Sequence, residues 1–185
     1  MKKNPLIYFF VEGETEDVLI KDLKKKYNFT VKNIRIINLW NIAERKIKAL
    51  LTTLELKKSH VFIIYDTDRT ENIANFLKNI NIITKYSSKT YILQQNDNFE
   101  EELAYACNKS KQLIYSCFCA QITSCDNFKN SFIDCRNRLE KLEGLDFNDN
   151  RLWDKDRDLL AHIEDQGSSK LKRFSFEDFK NDFIG

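Results

Sequence analysis

Two apolar stretches of the sequence each end in carboxylates, which are side chains that bind cations or transfer protons. The stretch YFFVEGETEDVLI places four of them around Gly13, the only glycine among the first 143 residues, and Glu12 is the first of the four. The stretch HVFIIYDTDRTE contains Asp66 and Asp68. Carboxylates within a few ångströms of each other repel unless a cation bridges them or some bind protons. Because Mg²⁺ and Mn²⁺ prefer oxygen ligands, the two stretches predict a divalent-cation site if they meet.

The D-x-D spacing is compatible with such a site. In an extended segment Asp66 and Asp68 lie on the same side, about 7 Å apart at their Cα atoms, and can present oxygens to one ion or to two adjacent ions. A D-x-D motif alone is weak evidence, because carboxylates at strand ends also serve as helix caps. Its combination with Glu12-Gly13 at the end of another strand is more specific.

Hydrophobic periodicity predicts the elements that position these residues. Unbroken apolar runs indicate buried strands, and segments with helical spacing alternate with them. The predicted strands cover residues 6–11, 34–39, 61–65 and 90–94. Candidate helix N-caps are Thr15, Asn41, Thr70 and Asn98. The alternation predicts an α/β fold with a mostly parallel, doubly wound, four-stranded sheet flanked by helices.

Ligands of a parallel α/β sheet bind at the carboxyl ends of its strands. Glu12 follows the first predicted strand, and Asp66 and Asp68 follow the third. Glu100 lies at the start of the helix after the fourth strand. If the first and third strands are neighbours, we expect these side chains to converge at one edge of the sheet.

The second half of the chain contains helical patterns without further predicted strands. Helical spacing extends over residues 113–122 and 128–142, and Gly144 is a candidate C-cap. We therefore expect an α/β core over residues 1–108, with a C-terminal helical extension over residues 109–185 packed on it.

Composition limits the class of protein. The chain has 185 residues, of which 42% are hydrophobic, so it can bury a core. No run approaches the roughly 18 apolar residues of a membrane span, so we expect no membrane partner. The start MKKNPLIYFFV lacks a cleavage site, and five cysteines are an odd number that argues against a disulfide framework. A cytoplasmic location is expected.

Charge is distributed unevenly, although the net charge is only +2. Residues 1–95 contain 17 Lys and Arg against 10 Asp and Glu, whereas residues 96–185 contain 13 against 18. A basic half that also holds clustered carboxylates suits a polyanion, such as nucleic acid, bound together with cations. Solvated, lysine-rich helix faces are the alternative interpretation of the same charges.

Three stretches resemble the TOPRIM family, a Rossmann-like domain found in topoisomerases, primases and some nucleases. VEGETEDVLI and IIYDTDRTE are similar to its two core motifs, strand-E-G-x-T-E-helix and strand-D-x-D-R. The first motif is closest to the overcoming-lysogenization-defect nucleases and to RloB-like proteins. The stretch NDNFEEELAYA also resembles the N-x-x-F-E-x-x-L segment of RloB-like proteins. The resemblance covers about residues 6–107 and none of the helices beyond them.

The resemblance implies a role for each matching carboxylate. Asp66 and Asp68 match the metal-binding aspartates, and Glu12 matches a glutamate that binds metal or transfers protons. These three are the implied catalytic residues. Glu16 and, more loosely, Glu100 match further acidic positions and are implied metal ligands. The implied cofactor is Mg²⁺ or Mn²⁺.

The implied function is metal-dependent hydrolysis of nucleic-acid phosphodiester bonds in a bacterial or phage defence setting, with a partner ATPase or another defence protein. Two alternatives stay open, namely a housekeeping RNA-processing TOPRIM ribonuclease and a non-catalytic module that binds nucleic acid or a protein. DNA and RNA are both open as substrates. Candidate nucleic-acid contacts are Arg69, Lys170 and Lys172. The alternatives are an ion pair of Arg69 with Glu71 or Glu16, and a solvated tail for the two lysines.

Overall fold

A five-stranded parallel sheet forms the centre of the computed structural model, which describes residues 5–68, 71–119, 125–154 and 169–184. The strands are β1 (Leu6–Val11), β2 (Asn33–Ile36), β3 (Ser59–Tyr65), β4 (Lys89–Gln94) and β5 (Leu171–Arg173). They lie in the order β2-β1-β3-β4-β5, and each neighbouring pair is parallel. The predicted α/β class and the parallel sheet are confirmed. Strands lie at the four predicted places, although β2 covers Asn33–Ile36 rather than residues 34–39.

Helices connect the strands and cover both faces of the sheet. They are α1 (Glu14–Tyr27), α2 (Glu44–Thr52), α3 (Ile73–Tyr86), α4 (Phe99–Cys107), α5 (Lys111–Phe118), α6 (Cys125–Asp134), α7 (Arg138–Glu143) and α8 (Phe176–Phe183). Short 3₁₀ helices cover Leu56–Lys58 and Asp149–Arg151. Within the described ranges, no helix combines the length and the apolar character needed to cross a membrane.

Each apolar strand contributes to two cores, because alternate residues of a strand point to opposite faces of the sheet. Phe9 and Phe62 lie in a core covered by α1 and by the helices from α4 to α8. Phe10 and Ile63 lie in a second core beneath α2 and α3. Phe10 pairs directly with Ile63, so β1 and β3 are adjacent and their carboxyl ends meet at one edge.

The prediction of four strands is wrong, because the sheet has a fifth strand in a region expected to be helical. Residues Leu171–Arg173 form β5, which pairs with β4 from Thr90 opposite Leu171 to Ile92 opposite Arg173. The strand has only three residues and only one of them is apolar, so it carries no alternation that could identify it. Its conformation is stabilised by hydrogen bonding to the edge of β4.

Helix starts agree with the sequence in one case and differ in two others. Helix α1 begins directly after Gly13 rather than after Thr15. Helix α2 begins after Ala43, so Asn41 does not cap it. Both predicted caps are therefore wrong. The Asn98 side chain does cap α4, since it accepts a hydrogen bond of 3.1 Å from the N–H of the third helical residue. Thr70 lies outside the described residues.

The C-terminal helix α8 is part of the main core rather than a separate layer. Phe179 is fully buried, and its ring centroid lies 5.0 Å from that of Phe62, 5.6 Å from that of Phe9 and 4.9 Å from that of Phe29. Within the described residues, the predicted extension over residues 109–185 therefore shares a core with the strands.

Phe179→Ala is expected to lower the free energy of unfolding of the whole chain by about 3–5 kcal/mol, because it removes a buried aromatic ring and leaves a cavity. Leu113→Ala is the control, since Leu113 is 42% exposed and should change stability by about 0.5 kcal/mol or less. Denaturant unfolding followed by fluorescence reports on both cores, because Trp40 lies in one and Trp153 in the other. An unchanged main transition in Phe179→Ala would show that α8 is independent of the sheet.

Candidate active site at the carboxyl edge of the sheet

A cavity of about 390 Å³ lies where β1, β3 and β4 end. Glu12 directly follows β1 and Asp66 directly follows β3, and the first turns of α1 and α4 add further carboxylates. The adjacent, parallel arrangement of β1 and β3 is what brings these separate segments together. The carboxylates in the cavity wall are the five selected from the sequence, namely Glu12, Glu16, Asp66, Asp68 and Glu100.

Two of these carboxylates have a buried oxygen without a hydrogen-bond partner among the described residues. The atoms are Glu12 Oε1 and Asp66 Oδ1. Leaving a carboxylate oxygen buried and unpaired costs free energy, and the great majority of buried polar atoms in proteins have a partner. A proton or a cation bound at these two oxygens would remove that cost.

Burial raises the pKa of both residues well above the usual range of carboxyl groups. The pKa of Glu12 rises to about 7, mainly through burial and further through the charges of Glu16 and Asp68. The pKa of Asp66 rises to about 9, again mainly through burial and then through the neighbouring carboxylates, of which Glu16 has the largest effect. Without a bound cation at neutral pH, these pKa values favour the protonated form of Asp66 and leave Glu12 partly protonated.

Glu16 is held in a fixed position, and it also explains the glycine at position 13. Its Oε1 accepts a 3.1 Å hydrogen bond from Gln95 Nε2, and its Oε2 accepts a 3.0 Å bond from the Thr15 hydroxyl. Burial raises the pKa of Glu16. A Cβ atom on Gly13 would lie 3.0 Å from Glu16 Oε2, whereas the φ of −141° at Gly13 is open to any residue. Gly13 therefore provides space for the Glu16 carboxylate.

Asp68 differs from Asp66 because it is exposed at the rim of the cavity. Its loop is fastened to the loop after β4, since the N–H groups of Thr67 and Asp68 donate to the Asp97 carbonyl at 2.6 and 3.0 Å. On this anchored turn the D-x-D segment thus has a half-buried carboxylate, Asp66, with its Oδ1 fully buried, and an exposed one, Asp68. Arg69, which follows directly, lies outside the described residues.

Lys129 on α6 is a wall residue that the sequence did not suggest. Its Nζ lies 3.5 Å from Oε1 of Glu100, whose side chain is almost fully buried. Helix α6 lies far along the chain from the ends of β1, β3 and β4, so no sequence motif connects Lys129 with them. Lys129 brings a positive charge to a cavity that is otherwise rich in carboxylates.

Gln95 and Trp40 also belong to the site. Gln95 directly follows β4, so the strand-end rule that selected Glu12 and Asp66 could have found it. Trp40 lines the cavity while its ring stacks on Phe76, with centroids 4.1 Å apart. Its indole opposes the rise of the Glu12 pKa, although Trp40 Nε1 and Glu12 Oε1 do not form a hydrogen bond of normal geometry.

The two lysines predicted to contact nucleic acid lie away from this cavity. Lys172 is exposed on β5, at the opposite edge of the sheet from β2. The carbonyl of Lys170 accepts a hydrogen bond from the N–H of Thr90, near the amino end of β4. Neither side chain lines the cavity at the carboxyl ends of the strands.

The chemistry of the donors fits a hard divalent cation, because carboxylate oxygens face the cavity and two of them are buried without partners. In the described side-chain positions, no group of three or more His, Cys, Asp or Glu residues surrounds a common metal position. A cation would therefore have to displace protons and draw the carboxylates together.

No protein-family model, curated protein or solved structure matches the chain, so the TOPRIM resemblance stays a prediction.

Proposed function

We propose that the chain is a Mg²⁺- or Mn²⁺-dependent nuclease of the TOPRIM type, which hydrolyses phosphodiester bonds of nucleic acid. The observation that carries the proposal is the pair of buried, unpartnered oxygens, Glu12 Oε1 and Asp66 Oδ1, in one cavity at the carboxyl edge of the sheet. A module that only binds nucleic acid or protein has no need for such a costly arrangement. A site that receives cations together with phosphate does.

The metal ligands in this proposal are Asp66, Asp68 and Glu12, with Glu16 and Glu100 as acidic residues around them. When bound, Mg²⁺ or Mn²⁺ supplies an activated water and stabilises the charge on the leaving oxygen. Asp66 reaches the site from the buried side and Asp68 from the solvent side.

The chain's own residues have distinct tasks in the reaction. Glu12 binds metal or transfers protons; where no cation is bound to it, its pKa of about 7 lets it accept or donate a proton near neutral pH, which suits general acid–base catalysis. The Lys129 ammonium lies on the cavity wall, where it can bind a non-bridging phosphate oxygen of the substrate. Glu16 is held in a fixed orientation in the cavity wall by hydrogen bonds from Gln95 and Thr15.

The proposed function is tested by incubating the purified chain with labelled single-stranded and duplex DNA and with RNA, in Mg²⁺ or Mn²⁺ and then with EDTA. We expect cleavage that EDTA stops. Glu12→Gln should lower the cleavage rate by about a hundredfold or more, because it removes a carboxylate that binds metal or transfers protons. Glu14→Gln is the matched control, since Glu14 is an exposed carboxylate on the same turn and lies outside the cavity wall.

Absence of cleavage of all these substrates by the wild-type chain would contradict the proposal. Equal rates for Glu12→Gln and Glu14→Gln would remove Glu12 from the catalytic residues. Binding of nucleic acid without cleavage would favour the non-catalytic module instead. Preference for RNA over DNA would favour an RNA-processing or RNA-targeting nuclease.

A further inference from the structure

A second surface near the site is basic. A groove of about 470 Å³ lies between helix α1 and the edge strand β2, and its volume is comparable with that of the carboxylate cavity. Asp17 is the acidic side chain among the residues that line it. The cations that line it are Lys21 and Lys24 of α1, Lys32 in the connection to β2, and Arg35 of β2.

Most of this positive charge is not neutralised by neighbouring residues. Lys21 forms an ion pair with Asp17, with 2.7 Å between Nζ and Oδ2. Lys24, Lys32 and Arg35 are exposed and form no ion pair within the described part of the chain. Three unpaired cations in a concave surface attract a polyanion strongly, because each phosphate contact releases condensed counterions.

The groove and the carboxylate cavity are lined by neighbouring residues of the same two segments. On α1, Asp17 lines the groove and the preceding residue, Glu16, lines the cavity. On the other wall, Ile36 at the end of β2 lines the groove, and Asn38 lines the cavity.

A protein strand is a poorer occupant of this groove. Strand β2 has only four residues, and short edge strands that carry Lys or Arg resist the addition of another strand. A second copy of the chain paired along β2 would place Arg35 and Lys32 of each copy near the same cations of the other, and like charges at such positions destabilise pairing. The occupant that the charges fit is a phosphate backbone.

We propose that the groove between α1 and β2 binds the nucleic-acid backbone on one side of the bond to be cut, with Lys24, Lys32 and Arg35 on successive phosphates. This inference rests on the proposed nuclease function, because it places the scissile phosphate in the neighbouring cavity. Ile36, which is 50% exposed, lines the groove at the end of β2 and offers an apolar contact to a base.

The test measures binding in EDTA, so that the strand stays intact. Fluorescence anisotropy of a labelled single strand of about 20 nucleotides gives the affinity of the full chain over about 0.05–0.2 M NaCl. The groove variant replaces Lys24, Lys32 and Arg35 with Gln. The control variant removes three exposed lysines at the amino ends of β3 and β4, which are Lys57, Lys58 and Lys89.

We expect the groove variant to bind about tenfold more weakly or worse at the lowest salt concentration. The slope of log K against log [NaCl] should become smaller in magnitude by about 2, which corresponds to the loss of three phosphate contacts at about 0.7 each. The control variant should keep the wild-type slope. Poly-glutamate of similar length should compete weakly.

Equal slopes for the groove variant and the control variant would overturn the groove assignment, as would a wild-type chain that binds no strand. Poly-glutamate bound as tightly as the oligonucleotide would also overturn it, because the groove would then be a general surface for acidic proteins. Groove-dependent binding in a wild-type chain that cuts nothing in Mg²⁺ or Mn²⁺ would instead contradict only the proposed hydrolysis. If the wild-type chain cleaves nucleic acid but the groove and control variants have equal salt slopes, the nuclease function is supported and the groove assignment is wrong.

Discussion

Asp66→Asn is expected to abolish metal-dependent cleavage and, at the same time, to stabilise the metal-free chain at about pH 8. Cleavage should fall by about a thousandfold or more, because an amide does not replace a carboxylate as ligand. Stability should rise because Asp66 is half-buried beside other carboxylates, which raises its pKa to about 9. Asn removes the cost of keeping that group protonated in the folded state.

The stabilisation should depend on pH in a defined direction. The pKa of Asp66 is about 9 in the folded chain and about 3.9 in the unfolded chain, so the folded state binds more protons between these values. The contribution of Asp66 to stability is therefore fully present below about pH 4 and is lost as pH rises towards 9. Glu12 adds the same trend up to its pKa of about 7. Asp66→Asn should gain little near pH 4 and about 2–5 kcal/mol near pH 8.

Thermal unfolding in EDTA over this pH range measures the effect, and a gain of about 2–5 kcal/mol corresponds to roughly 5–15 °C near pH 8. Asp68→Asn is the matched control within the same D-x-D motif. Asp68 is exposed, so its replacement should impair cleavage with little change in stability. A gain that does not grow with pH, or an equal gain from Asp68→Asn, would show that the repulsion is not centred on Asp66.

The sequence predicts those parts of the fold that depend on local patterns. Residues 61–65 form an uninterrupted apolar run, which is the pattern of a parallel strand that is buried on both faces. Strand β5 has no such pattern, because Leu171–Arg173 is a strand only through its pairing with β4. The start of α1 could not be located because Gly13, with no side chain to cap a helix, occupies the N-cap position.

The candidate site could likewise be predicted only where it depends on local sequence patterns. Glu12 and Asp66 could be selected because each directly follows an apolar run, and ligands bind at the carboxyl ends of parallel strands. The difference between Asp66 and Asp68 could not be predicted, since burial depends on how the loops after β3 and β4 pack. Lys129 lies on a helix that reaches the cavity through tertiary packing of aromatic residues, such as Phe132 against Phe99.

Mn²⁺ binding to the metal-free chain is expected to release protons and to strengthen steeply as pH rises. A cation bound by Glu12 and Asp66 needs both groups ionised, whereas their pKa values without metal are about 7 and about 9. Between about pH 7 and pH 9, binding must displace mainly the Asp66 proton, so the apparent affinity should rise about tenfold per pH unit. Below about pH 7 both protons must leave, and the dependence should approach a hundredfold per unit.

Calorimetric titration of Mn²⁺ in buffers with different ionisation enthalpies counts the protons released. About one proton per bound ion is expected near pH 8 and nearly two near pH 6, because the occupancy of each carboxyl group follows its pKa. Glu14→Gln should behave as the wild type, and Glu12→Gln/Asp66→Asn should show neither binding heat nor proton release. Release of no protons at either pH would mean that Mn²⁺ binds elsewhere, and equal binding by the double variant would remove both residues from the metal site.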